Sequence, residues 1–447
     1  VVKSLSIFGT SSDVGKSIVT MIISKLLQKR GFNVVPFKAQ NVSNNSRVAD
    51  DGGEIALAQH FQSAILKTAT SWHNNPVLLK SGIGNNSSLI LKGRTLENRS
   101  FREYYWKLES LKPTVREGFK YLKERYDLVV AEGAGSPVEL NLMNKDLSNI
   151  FIAEEFNTKI VLVADIERGG VFASIYGLYS LLPERLRESV VGVLINRFRG
   201  DIRLFDDGVE IIESRFKIPV LGVLPYIPFN FGFEDSQSIL NYTQSSLNPK
   251  RRVAIISYPT ISNYNDFEPL IVDSDVEVEF IRGDRVLEGY DLVILPGSKL
   301  VMKDLKWLKD VGLFERLKRR EGEIMGICGG YEMMFERLID NHRVESDIKE
   351  MRGLGFIDDA LLFQRDKVLR KGSYEIFGKR VEGFEIHNGV SRKYPLSFEN
   401  GNIKGTFVHS LFEDREFLEY RERAVERFIS AMETLIDMDR VVDAILS

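Results

Sequence analysis

Short, almost uninterrupted apolar runs alternate along this chain with stretches whose apolar residues recur at helical spacing. That alternation restricts the fold more than any other feature. The runs occupy residues 5–8, 33–36, 128–131, 160–164, 192–195 and 219–223, and then 253–257, 276–280, 292–295 and 324–327. A strand that is apolar on both faces has to be covered on both, so such runs predict parallel sheets with helices on each side. Between the two series lies a polar segment with one proline, residues 243–252, which reads as a linker. We therefore expect an α/β protein of two domains, residues 1–245 and 252–447. The 447-residue length suits such a division. Beyond Glu416, apolar residues at Leu418, Ala424, Phe428, Ile429, Met432 and Ile436 predict a helix.

The first run opens Leu5-Ser-Ile-Phe-Gly-Thr-Ser-Ser-Asp-Val-Gly-Lys-Ser17, a strand, loop and helix ending in the Gly-Lys-Ser of a phosphate-binding loop. Thr10 stands where the strict pattern has its first glycine, with Gly9 one position earlier. Backbone N–H groups of such a loop point at phosphate, a lysine there neutralises β/γ charge, and the serine hydroxyl ligates Mg²⁺. Thr10, Asp13, Gly15, Lys16 and Ser17 are the cofactor-binding candidates, and the implied cofactors are ATP and Mg²⁺. The metal needs carboxylates. Glu132 ends an apolar run before Gly-Ala-Gly, and Glu54 opens a helical pattern. Lys38, Asp165 and Asn196 follow other runs and so face the same carboxyl edge of the sheet.

Cys328, the only cysteine, lies in Gly326-Ile-Cys-Gly-Gly330 between an apolar run and a helical pattern. That is the spacing of a nucleophile elbow, where glycines allow a sharp bend and close approach of a substrate. A thiol near neutral pH needs a base. Among five histidines, His409 and His387 follow apolar stretches that suit a site, while His60, His73 and His342 read as structural. The Pro296-Gly297 turn offers N–H groups for an oxyanion. One cysteine excludes an internal disulfide and a cysteine-based metal cluster. A net charge of -3 argues against broad nucleic-acid binding. No apolar stretch approaches the roughly 18–20 residues of a membrane span, and no leader pattern opens the chain, although Val1 suggests that a few residues were trimmed. The expected location is the cytoplasm, with no membrane partner.

Together these runs resemble the cobyric acid synthase family over essentially the whole chain. The resemblance is carried by residues 9–17, Pro36-Phe-Lys-Ala-Gln-Asn41, Asp51-Gly-Gly-Glu-Ile-Ala-Leu-Ala-Gln59, Asn75-Pro-Val-Leu-Leu-Lys80, Glu132-Gly-Ala-Gly-Ser-Pro137 and residues 164–173. It continues through Asn196-Arg-Phe-Arg-Gly-Asp201, residues 220–225, Leu295-Pro-Gly-Ser-Lys299, Gly326-Ile-Cys-Gly-Gly-Tyr331 and Val408-His409. The resemblance implies a P-loop synthetase domain of the dethiobiotin-synthetase type, followed by a flavodoxin-like class I glutamine amidotransferase domain. It implies ATP-dependent amidation of a corrinoid, adenosylcobyrinic acid a,c-diamide, at its b, d, e and g carboxylates, with glutamine as donor. Ser17, Glu54 and Glu132 are then metal ligands, Lys38 lies near the reacting carboxylate, Asn196 reads the adenine, Cys328 is the nucleophile and His409 its base. A homo-oligomer is left open. Many amidotransferases carry a glutamate two residues after the histidine, whereas this chain has Leu411. The group that orients His409 is then Glu385, Glu413 or a backbone carbonyl.

Overall fold

The computed structural model describes residues 2–81, 86–100, 108–229, 231–232 and 249–447. Its first sheet has six strands in the order Val220–Pro225, Val190–Phe198, Lys159–Asp165, Leu5–Gly9, Leu128–Glu132 and Val34–Phe37. All are parallel. The order follows from the sequence: Leu5, Ile7 and Phe8 are fully buried because helices cover both faces of the strand they share. The phosphate-loop strand sits in the middle, flanked by the strands that end in Asp165 and Glu132. Loops leaving those two strands diverge at this point, which is where an open α/β sheet binds its ligand.

Between the strands Val34–Phe37 and Leu128–Glu132 the chain makes a long excursion. Strands Gln40–Val42, Val77–Ser81, Asn86–Leu91 and Arg94–Ser100 form a small four-stranded sheet of their own. Ser46–Val48 and Glu54–Ala56 pair antiparallel, and Glu54–Ala56 runs directly into the helix Leu57–Leu66.

The second large sheet has the order Val276–Ile281, Arg251–Ile256, Leu292–Leu295, Glu323–Ile327, Ile403–Thr406 and Ser397–Asn400. The first five are parallel and the edge strand is antiparallel. Beside it, the strands Ile357–Ile376 and Lys379–Val390 form a long hairpin that also pairs with Val408–His409. The expected linker at 243–252 lies mostly outside the described residues. Arg251 and Arg252, read as linker, already belong to the first strand of the second sheet.

The C-terminal helices cross back to the first half. Arg415–Glu433 is capped by the Asp414 side chain, which accepts from the Phe417 N–H, and Met438–Leu446 follows. Phe417, Val425, Phe428, Ile429, Met432, Ile436, Val441 and Ile445 pack in one cluster with Leu5, Ile7, Ile22 and Leu26. Two expectations are corrected here. The helix begins before Glu416, and Leu418 is 42% exposed on its outer face, because Phe417 rather than its neighbour points at the core. Burying several large apolar side chains, at about 1.5–3 kcal/mol each, fastens the two halves together.

Candidate active site

The phosphate loop forms as its residues require. Gly15 adopts φ 95° and hands over to the helix Lys16–Lys29, which ends at Gly31 with φ 92°. A side chain at Gly15 would strike Asn196 Nδ2 at 2.3 Å. Asn196 donates instead to the Val14 carbonyl at 2.9 Å and so holds the loop. Lys16 Nζ donates to the Ser11 carbonyl at 2.9 Å, inside the curl of the loop. Burial, then the charge of Lys38, push its ammonium down to about 8, opposed by Glu132 and Asp13. Ser17 Oγ donates to Glu132 Oε1 at 2.7 Å, and Lys38 Nζ donates to the same oxygen at 2.8 Å. Gln62 Nε2 donates to Glu132 Oε2 at 3.0 Å. Burial disfavours the Glu132 charge, but Lys38 and these donors hold its carboxyl below the usual range. Asp165 is occupied structurally, accepting from Arg197 Nη1 at 3.0 Å.

The Ser17 hydroxyl and Glu132 carboxylate are hard oxygen donors at a helix N-terminus and fit Mg²⁺. Glu54 is engaged by other partners. It is fully buried and takes Lys80 on one oxygen and Lys367 on the other, each at 2.8 Å, with Ser46 Oγ also at 2.8 Å. Lys367 belongs to the long hairpin of the second half. Among the described residues no set of three acidic, histidine or cysteine side chains converges for a metal.

Cys328 occupies an elbow with φ 51° and ψ −112°, between the strand Glu323–Ile327 and a short helix. Its neighbours must be glycine: a Cβ on Gly330 would lie 1.9 Å from the Leu295 carbonyl oxygen, and one on Gly329 2.6 Å from Ser298 N. The thiol donates to the Ile386 carbonyl at 3.3 Å. Burial, and next the charge of Glu332, push it well above the usual thiol range, so the resting nucleophile is protonated.

His409 is fully buried in the short strand Val408–His409, which pairs with Lys379–Val390. Its Nδ1 lies 2.6 Å from Asp266 Oδ2, and Asp266 Oδ1 accepts the Ser410 N–H at 3.2 Å. A proton on Nδ1 satisfies the carboxylate and leaves Nε2 as the basic nitrogen, 3.5 Å from Asn263 Nδ2. The groups read from the sequence as orienting His409 are engaged elsewhere. Glu385 binds His387 Nε2 at 3.2 Å, and Glu413 pairs with Arg47. Asp266 sits in a polar stretch some 140 positions away with no local signature, which hid it. His387 is held by the Gly389 carbonyl and stacked on Phe407 at 3.8 Å. His73 is stacked on Trp72 and Tyr121.

The thiol pocket, about 430 Å³ with its open mouth, is lined among others by Ser298, Lys299, Glu332, Glu345, Lys367, His387 and, from the first half, Lys80. Asn45 and Ser46 of the first half clasp Asn263, at 2.7 and 2.9 Å. The two sites thus share one scaffold.

Exchanging Asp266 for asparagine tests its part. The amide can donate to His409 Nδ1 and so favours the tautomer with its proton on Nε2, which cannot act as base. Glutamine-dependent turnover should fall roughly 10²–10³-fold, on the pattern of serine triads, where the same swap costs about 10⁴. The acid limb of its pH–rate profile should move, while ammonia-dependent turnover stays unchanged. Rates within threefold of the unaltered protein would leave Asp266 without this role.

Two family models match the chain. One, described as the CobQ/CobB/MinD/ParA nucleotide binding domain, covers residues 5–231. The other, the CobB/CobQ-like glutamine amidotransferase domain, covers residues 252–417. The cobyric acid synthase of Acinetobacter baylyi is 57% identical over 424 residues, 95% of this chain and 91% of that protein. The cobyric acid synthase of Chlorobium phaeobacteroides is 41% identical over 399 residues, 87% of this chain and 81% of that one.

Proposed function

The chain belongs to the cobyric acid synthase family, and from that premise we propose how its residues divide the reaction. The enzyme uses ATP and glutamine to amidate the b, d, e and g carboxylates of adenosylcobyrinic acid a,c-diamide. Residues 1–245 activate the carboxylate and residues 252–447 release ammonia, with the last two helices of the second unit lying on the first.

A carboxylate resists ammonia because oxide is a poor leaving group, so it is first phosphorylated by ATP. The phosphate-loop amides and Lys16 hold the β/γ-phosphates and stabilise charge on the group in transfer. Lys38, on Glu132, receives the carboxylate of the corrinoid. Asn196, at the loop, is the adenine-side candidate. Ser17 and Glu132 would hold Mg²⁺, which neutralises phosphate charge when bound. Glu54 would join them only on leaving its two lysines. In the second unit Cys328 attacks the glutamine amide carbon, and His409, oriented by Asp266, takes the thiol proton and passes it to the departing ammonia. The N–H groups around Gly297 and Gly329 are the oxyanion candidates. Water then releases glutamate from the thioester. Because several carboxylates of one molecule use one site, the corrinoid cleft should be open.

One observation supports two coupled sites above all. The single unit running from Glu54 through the helix Leu57–Leu66 touches both. Its Glu54 binds lysines of the thiol pocket, and its Gln62 binds Glu132 beside the phosphate loop. No described helix is long and apolar enough to cross a membrane. We place the enzyme in the cytoplasm, where a lone thiol stays reduced.

The test is product analysis after incubation with ATP, glutamine and the diamide. Each amidation should lower the corrinoid mass by about one unit, with one ADP and one glutamate per step. Use of only two carboxylates, or of another acceptor, would reassign the protein to a related amidoligase.

A further inference from the structure

The pocket before Cys328 carries more charge than cleaving an amide requires. Thioester formation needs a nucleophile, a base and oxyanion donors. None of these roles calls for ammonium groups or a pair of carboxyls, yet Lys80, Lys299, Lys367, Glu332 and Glu345 all line the cavity.

Two of the three lysines are spent, since Lys80 and Lys367 both bind Glu54. Lys299 is not. Among the described residues its ammonium donates no hydrogen bond and forms no ion pair. Its main chain is nevertheless pinned. The Lys299 N–H donates to the Thr260 carbonyl at 2.9 Å, and the Leu300 N–H donates to Thr260 Oγ1 at 3.0 Å. Thr260 Oγ1 in turn donates to Asp304 at 2.6 Å. The side chain therefore leaves a fixed turn toward the pocket. Burial pushes its ammonium down to about 8, against the pull of Glu345.

Glu332 and Glu345 each accept one backbone N–H, from Gly389 at 2.9 Å and from Val301 at 2.8 Å. Burial, then the charge of Glu345, push Glu332 well above the usual carboxylate range. Burial raises Glu345 to about 7, although Lys299 pulls it down. The pocket thus holds a cation short of an anion and two carboxyls short of a cation, beside a nucleophile.

We propose that this set binds the amino-acid head of glutamine as a zwitterion. Lys299 takes the α-carboxylate, Glu332 and Glu345 take the α-ammonium, and the side-chain amide is thereby delivered to Cys328. The inference rests on reading this pocket as the glutaminase site. The ammonium draws the two carboxyls toward their ionised form, so each charge of the head then meets a charge of opposite sign, which offsets the cost of taking it out of water. The arrangement also explains a need peculiar to this reaction. The product carries several primary amides, and a thiol that accepted any primary amide would hydrolyse what the other site makes. Demanding a zwitterion two methylenes from the amide excludes them.

The test compares kcat/KM for glutamine with that for 4-aminobutanamide, which is glutamine without its α-carboxylate. The unaltered enzyme should prefer glutamine by at least 100-fold. In Lys299→Met, glutamine kcat/KM should fall at least 50-fold, mainly through KM, while the rate on 4-aminobutanamide stays within threefold. The preference then collapses. Lys299→Arg, which keeps the cation, should restore most of it, and unchanged ammonia-dependent amidation shows that both variants are folded. Equal losses on the two substrates, or an unchanged preference, would overturn the proposal. If the unaltered enzyme frees no glutamate from glutamine with ATP and corrinoid present, the glutaminase reading falls as well.

Discussion

Replacing Cys328 by serine should abolish glutamine-dependent amidation, by about 10⁴-fold or more, and leave amidation with free ammonia close to that of the unaltered enzyme. The size of the loss follows from the elbow. A serine hydroxyl at φ 51° occupies the same place, but its oxygen is a far weaker nucleophile at neutral pH, and a His–Asp pair set for a thiol has to remove a proton of much higher pKa. The substitution is nearly isosteric in a buried position that already bonds the Ile386 carbonyl, so the fold should hold. The measurement is corrinoid amide formed per unit time with glutamine, and again with an ammonium salt at a pH where much of it is ammonia. Loss of both activities in a folded variant would sink the two-site scheme. In that case Cys328 would have to serve the ATP-dependent step.

How far the sequence could be read depended on how local each signal was. Apart from Ile403–Thr406 and Ser397–Asn400, the strands of the two large sheets were legible because strands buried on both faces have to be apolar throughout, and the two βα turns were legible because glycine fits their backbone. The hairpin spanning Ile357–Val390 was not. Its middle is mostly polar and charged with no period-2 pattern, as in Gln364-Arg-Asp-Lys-Val-Leu-Arg-Lys371, and its stability comes from cross-strand partners that no single strand reveals. That hairpin carries Lys367 and Ile386 into the thiol pocket, so part of the site was hidden with it. Asp266 was hidden for another reason. A carboxylate that completes a triad is chosen by the fold, and sequence distance places no bound on it. Glu54 is a mixed case. Its motif drew attention to it as a metal ligand, but in this structure it lies between Lys80 and Lys367, because a fully buried carboxylate takes the nearest cations. Glu54 thus bonds two lysines of the thiol pocket, while the helix that follows it carries Gln62 to Glu132.

Removing the loop cation should have the opposite signature to removing the thiol. In Lys16→Met, amidation should fall on the order of 10³-fold with either nitrogen source, because the charge transferred from ATP loses its neutralising partner whether ammonia comes from glutamine or solvent. Glutamine hydrolysis without ATP should survive, since Lys16 touches nothing in the thiol pocket. The pH dependence of nucleotide binding gives a second readout. Burial and Lys38 hold the Lys16 ammonium down at about 8, and bound phosphates favour its charged form, so the pKa must rise on binding. Below about pH 8 the lysine is already protonated and affinity should be flat. Above it, binding has to take up a proton, and Kd for ATP should rise by up to tenfold per pH unit until the pKa of the complex is reached. Titrating ATP into the enzyme from pH 7 to 9.5 measures this directly. Lys16→Met should bind more weakly throughout and lose the slope. A slope that persisted in the variant would assign the proton to another group, Lys38 first, since its charge is what depresses Lys16 after burial.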